Sequence, residues 1–136
     1  MNIKEFGTEW CLLQNQFDSY EKHSLYIKLL SIVALLTAEV TGQINSYIVL
    51  ILSVLWLQDG IWKTFQSRTE IRLLQIEKYI ADKSEENAFQ FNTAYDKASL
   101  NGLSLVGEYA RQSIRPTVAF PHVALILIAL IQSVSQ

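Results

Sequence analysis

Apolar and polar residues alternate on two scales along this chain. Between Leu25 and Trp62 the apolar residues run almost without interruption in two arms, Leu25 to Gly42 and Ile44 to Trp62, separated by a short uncharged turn. Each arm is close to the ~20 residues that a ~30 Å hydrocarbon layer requires, so residues 25–62 are expected to form a transmembrane helical hairpin. A third run, Thr117 to Val134, follows Arg115-Pro116 and carries no formal charge when His122 is neutral. Its length suits a further span, and proline at its first turn gives up only an amide that has no helical partner there. Residues 116–136 therefore read as a third transmembrane helix and its tail.

The remaining stretches are periodic rather than uniformly apolar. Ile3, Phe6, Trp10, Leu13, Phe17 and Tyr20 recur at alternating intervals of three and four, with Lys4, Glu5, Glu9, Asp18 and Lys22 off this stripe. That spacing predicts an amphipathic helix over residues 1–23, either lying at the membrane interface or packed on other helices. Its mildly acidic polar face favours packing on protein over the basic face usual at a lipid surface. Beyond Trp62 no helix breaker intervenes, and Phe65, Leu73, Ile76 and Ile80 continue one face, so the second arm is expected to extend as a single helix from Ile44 to Ala81. The run Asp82 to Asn87 is a turn signal, with Asp82 or Ser84 suited to cap a returning helix through Phe91, Tyr95, Leu103 and Val106 to Ile114. Gly102 and Gly107 should weaken that helix. Residues 63–115 thus read as an extramembrane helical hairpin, with the N-terminal stripe covering its aromatic residues Phe89, Phe91 and Tyr95. The fold class expected is an all-α membrane protein with three transmembrane helices, a cytoplasmic helical hairpin or stalk between the second and third, and an amphipathic N-terminal helix.

Charges inside the spans are costly and so are informative. Lys28 and Asp59 are equidistant from a turn centred near Gln43 and Ile44 and should lie at one depth, where they can pair. His122 falls at nearly the same depth, and Pro121 beside it frees a carbonyl. Lys28, Asp59 and His122 are therefore the candidate intramembrane polar cluster. Glu39, near the other end of the first arm, reads either as a carboxylate reaching the opposite interface or as an outer pore mouth if several copies surround an axis. Ser31, Ala34, Thr37 and Ala38 are small residues at helical spacing that admit a close neighbour. Trp56 and Trp62 suit an interfacial position.

Composition agrees with a membrane chain: 50% of residues are hydrophobic and 18% charged. Eleven basic against 13 acidic residues give a net charge of −2 and no general attraction for nucleic acid. The lone Cys11 cannot form an internal disulfide, and no Cys/His set has metal-site spacing. Acidic residues at 5, 9, 18 and 21 do not suit a signal peptide, so no segment is expected to be removed. No phosphate loop, nucleophile elbow or zinc-protease motif occurs, and neither histidine has a plausible serine or threonine to activate, so no enzymatic activity and no cofactor are expected.

The basic residues fall before or at the entry of the first arm or between the second and third spans, and none lies in the turn near Gly42 or after Val134. The positive-inside rule then places the N-terminus in the cytoplasm and the C-terminus outside, in the inner membrane if the source is bacterial. Arg68 and Arg72 belong to a mixed-sign run expected to be a solvated helix face or a partner contact, and Arg111 and Arg115 are expected near lipid headgroups. Three spans do not enclose a path alone. The leading functional reading is a small homo-oligomeric membrane protein that forms a pore or perturbs the bilayer, its cytoplasmic bundle serving assembly or sensing. The rival reading is a non-conducting anchor or scaffold that recruits a cytoplasmic protein through the stalk.

Overall fold

The computed structural model describes residues 3–98 and 100–135. Among these the chain is helical, without strands, in the order α1 (Ile3–Val40), α2 (Ser46–Ala81), α3 (Phe91–Ala98), α4 (Leu103–Ser113) and α5 (Pro116–Ser135). Three of the helices, α1, α2 and α5, are long and apolar enough to cross a membrane. At 1.5 Å per residue α1 and α2 are about 57 and 54 Å long, so each extends well past a bilayer's hydrocarbon. They lie antiparallel. One half of the pair is clad in exposed Leu, Ile and Val; the other exposes charged residues such as Lys4, Glu5, Glu77 and Lys78, with Leu12, Ile71 and Leu74 among them, and receives α3 and α4.

The N-terminal stripe and the first arm are one helix, not two elements. No proline, glycine or cap separates Tyr20 from Leu25, and the seam that faces α2 continues through Ser24, Ser31 and Ala38, all buried and seven residues apart. On α2 the matching seam is Leu52, Asp59, Gln66 and Leu73, again at seven-residue spacing. A 3.5-residue repeat on both partners is the pattern of helices that stay in contact over many turns. In the polar half the seam is filled by Phe6, Leu13, Leu73 and Ile76, joined by Trp10, Phe17, Tyr79 and Phe91. In the apolar half Leu35, Ala38, Ile48 and Leu52 meet Ala129 of α5. Ser31 and Ala38 there let the backbones approach closely, which is how helices associate where lipid offers no hydrophobic drive.

The turn between the long helices is set by Gly42, whose φ of 65° lies in the left-handed region. The amide of Gln43 reaches the Ala38 carbonyl at 2.8 Å and that of Gly42 reaches Glu39 at 3.2 Å, which closes the end of α1. Asn45 then caps α2 by accepting from the Tyr47 amide at 3.0 Å, so α2 begins at Ser46 rather than Ile44.

The expected helix from Ser84 to Ile114 is replaced by a loop and two short helices. Asp82 ends α2 instead of starting a helix, and Lys83 and Phe89 both take positive φ, 51° and 58°. The Phe89 amide donates to the Glu9 carboxylate at 2.6 Å, so a tertiary contact holds the loop open where local sequence favoured a helix. Gly102, with φ of 59°, starts α4, whereas Gly107 lies inside α4 without interrupting it.

α4 descends along α2, and its last turn meets α2 at Gly60. A Cβ at Gly60 would lie 3.0 Å from the Ser113 Cβ and 3.2 Å from its Cα, closer than such atoms pack. Overpacking of this kind costs typically 1–3 kcal/mol. Gly60→Ala is therefore expected to lower the thermal midpoint of the detergent-solubilised protein, and Ser113→Gly in the same chain to restore part of the loss. An unchanged midpoint for Gly60→Ala would show that α4 can move away without cost.

Candidate functional site

The three long helices meet around Asp59. Its side chain is fully buried on the α2 seam and faces α1 on one side and α5 on the other. From α1, the Ser24 hydroxyl donates to Asp59 Oδ1 and the Lys28 ammonium lies 3.7 Å from Oδ2. From α5, His122 Nε2 is 2.9 Å from Oδ2. Lys28 also donates to Ser24 Oγ at 3.2 Å, which links the α1 residues into one network. Ser24 and His122 are as inaccessible as Asp59, while Lys28 keeps a partly open edge.

The carboxylate can only accept, so the bond to His122 requires a proton on Nε2. Nδ1 has no hydrogen-bond partner among the described residues. Asp59 thus gathers Ser24 and Lys28 of α1 and His122 of α5, and the charges of Lys28 and Asp59 offset each other.

The structure therefore brings Lys28, Asp59 and His122 together, with a register different from the expected one. Residues 28 and 59 average 43.5, but the residue directly across from Asp59 is Ser24, and 24 and 59 average 41.5. Lys28 lies one turn nearer the hairpin turn and reaches back along the helix, the direction in which helical side chains point. Ser24 was not singled out from the sequence. Its signal was present all the same, since it precedes Lys28 by four residues and so shares its helix face.

Glu39 is exposed near the far end of α1, remote from this cluster. Arg68 and Arg72 are both engaged inside the fold, which corrects the expectation of a solvated face. Arg72 is buried with Glu9, Nε to Oε1 at 2.8 Å and Nη2 to Oε2 at 3.2 Å. Arg68 pairs with Glu108 of α4 at 2.6 Å and lies over the Tyr95 ring, 4.7 Å from its centre. Burial works against the Arg68 charge, but the bonds to Glu108 and Tyr95 outweigh it and hold the pKa above its ordinary value. Arg111 and Arg115 are exposed at the α4–α5 junction. The Glu9–Arg72 pair was legible only in part: Glu9 stands three residues after Phe6 and four before Leu13, on the buried seam, although the aromatic Trp10 beside it marked the stripe more strongly.

Just above the cluster, in the polar half, Glu21 accepts from Lys63 and from Gln66 Nε2, both at 2.7 Å. These bonds, the Lys63 bond foremost, hold the Glu21 carboxyl below its ordinary value of 4.5. A carboxyl lowered in the folded state adds stability above that ordinary value and loses it as the pH falls through the lowered one. Wild-type protein is therefore expected to lose stability on acidification below about 4.5 more steeply than Glu21→Gln. Parallel acid profiles of the two proteins in detergent would remove Glu21 as a contributor.

Among the described residues no group of His, Cys, Asp and Glu could hold a metal ion. Compared with protein-family models, with curated proteins and with solved structures, the chain matches none.

Proposed function

We propose that this protein is a non-conducting membrane anchor whose three spans are locked by the Asp59 cluster and whose polar half is a rigid stalk that presents a protein-binding surface on the cytoplasmic side. The observation that carries this reading is the closure of the polar cluster. Within a single chain Ser24, Lys28 and His122 all converge on Asp59, so the charges of this cluster are turned inward, and a pore would need polar groups turned outward around an axis. The remaining hydroxyls, such as Thr37 and Ser53, bond to carbonyls of their own helices. On the stalk, Ile71 and Leu74 lie three residues apart on α2 and are more than half exposed, the kind of apolar pair that partners cover. The distribution of Lys and Arg puts this stalk and the N-terminus in the cytoplasm and the C-terminus outside.

A homo-oligomeric pore is supported by one feature, the exposed Glu39 near the far end of α1. Ion flux in vesicles carrying the purified protein separates the two readings. The anchor is expected to pass ions no faster than protein-free vesicles, with His122→Ala and Glu39→Ala alike. A steady flux in wild type that Glu39→Ala removes would overturn it in favour of the pore.

A further inference from the structure

We infer that α4 is a membrane-embedded interfacial helix whose outer face rests in lipid. Two observations place its end at membrane depth. Trp56 Nε1 donates to the Ser113 carbonyl at 2.9 Å, and Ser113 abuts Gly60. Trp56 lies about one helical turn farther into the apolar half than Asp59, so the last turn of α4 sits at or below the level of the polar cluster rather than above it in water.

The face that α4 turns away from α2 has the chemistry such a depth demands. Leu103, Val106 and Ile114 are exposed by 91%, 60% and 68%, with Ala110 between them, at spacings of three and four. The less exposed side of α4 holds Leu105, Glu108, Tyr109 and Ser113, with Glu108 paired to Arg68, so the apolar residues of the outer side are left without protein cover. An apolar side without protein cover suits a bilayer, and at its Ile114 end it adjoins the exposed Leu57 of α2. Between α2 and α4 lies an open, mainly apolar depression of about 230 Å³ bordered by Trp56, Leu57, Ala110 and Ile114. Arg111 and Arg115 are exposed at the same end, where a guanidinium meets headgroup phosphate. The partner is therefore the phospholipid of the leaflet that the stalk faces.

The inference needs the spans to lie in a bilayer but not the anchor function. It is tested with full-length Cys11→Ser protein in phosphatidylcholine vesicles containing phosphatidylglycerol. An environment-sensitive fluorophore is placed by Val106→Cys or Ile114→Cys, with Val54→Cys as a span reference and Leu74→Cys as a stalk reference. Labels at 106 and 114 are expected to be quenched by shallow nitroxide lipids and shielded from iodide, while the label at 74 is quenched by iodide alone. Iodide quenching at 106 and 114 equal to that at 74 would overturn the inference. So would shielding from both quenchers together with an Ile114→Cys disulfide between two chains, which would make the occupant a second copy. Iodide access at 54 would mean instead that the spans themselves are not in lipid.

Discussion

Asp59→Ala is expected to be the most damaging single substitution in the apolar half, at about 3–5 kcal/mol, the usual cost of removing one partner from a buried ionic group. The alanine fills the space poorly, but the larger effect is electrostatic. The Lys28 ammonium loses its counter-charge in a dry site, and Ser24 and His122 each lose the acceptor that satisfies them. The distances rank the partners. His122 at 2.9 Å and Ser24 in direct contact bind more closely than Lys28 at 3.7 Å, and Lys28 can turn its head toward the interface when released. His122→Ala should therefore cost more than Lys28→Ala, and a double-mutant cycle should give a larger coupling for Asp59 with His122 than for Asp59 with Lys28. Resistance to denaturing detergent, followed by tryptophan fluorescence, supplies the numbers. A near wild-type Asp59→Ala, or a coupling dominated by Lys28, would mean that the cluster is not what joins the three spans. A charge swap of Lys28 with Asp59 is not expected to restore stability, because the swap recreates one contact and leaves the other two facing a lysine.

Glu9→Ala is expected to have an effect of similar size in the polar half, about 3–5 kcal/mol. The carboxylate takes two bonds from the buried Arg72 and one from the Phe89 amide at 2.6 Å. Its loss leaves the guanidinium unpaired among Leu73, Ile76 and Tyr79, and it also releases the loop between α2 and α3, which has no regular structure of its own. Two readouts follow: a lower thermal midpoint, and faster proteolytic cleavage between Asp82 and Gln90. Replacing both partners with apolar residues, Glu9→Leu with Arg72→Met, should recover most of the midpoint, because no charge then remains buried, but not the protection of the loop, whose Phe89 amide still lacks its acceptor. Recovery of both would assign the loop's order to Phe91 and Ala88 packing instead.

The two sites share one physical logic. α1 and α2 hold a common seam over their whole length, and among the described residues its buried charges lie only at the levels of Glu9–Arg72 and Asp59, with Ser31, Thr64, Gln66 and Thr69 as uncharged polar residues elsewhere along it. A helix pair sealed only by Leu and Ile could slide by a heptad at modest cost. One buried polar partner at a defined level makes every other register leave a charge unsatisfied. The small residues Ser24 and Ser31 then bring the backbones close enough for the short Asp59 side chain to reach across.

Much of this was determined by the sequence alone. Three apolar runs of bilayer length, the continuation of α2 past its apolar run and the 3.5-residue stripe from Ile3 to Tyr20 depend on residue spacing, which local chemistry reads directly. So does the turn at Gly42, where only a residue free of a Cβ accepts positive φ without cost. The tertiary structure decided what spacing cannot express. It chose Ser24 rather than Lys28 to face Asp59, because the register answers to the filling of the whole seam and not to the midpoint of the turn. It turned Arg68 and Arg72 inward, because Glu108 and Glu9 arrive from distant segments. It broke the helix expected over Ser84–Ile114, because the Glu9 carboxylate draws the Phe89 amide out of helical geometry across 80 residues of chain. In each case the deciding partner lies far off in sequence, and a hydrogen bond or charge pair in a dry interior outweighs the local preference of a few residues.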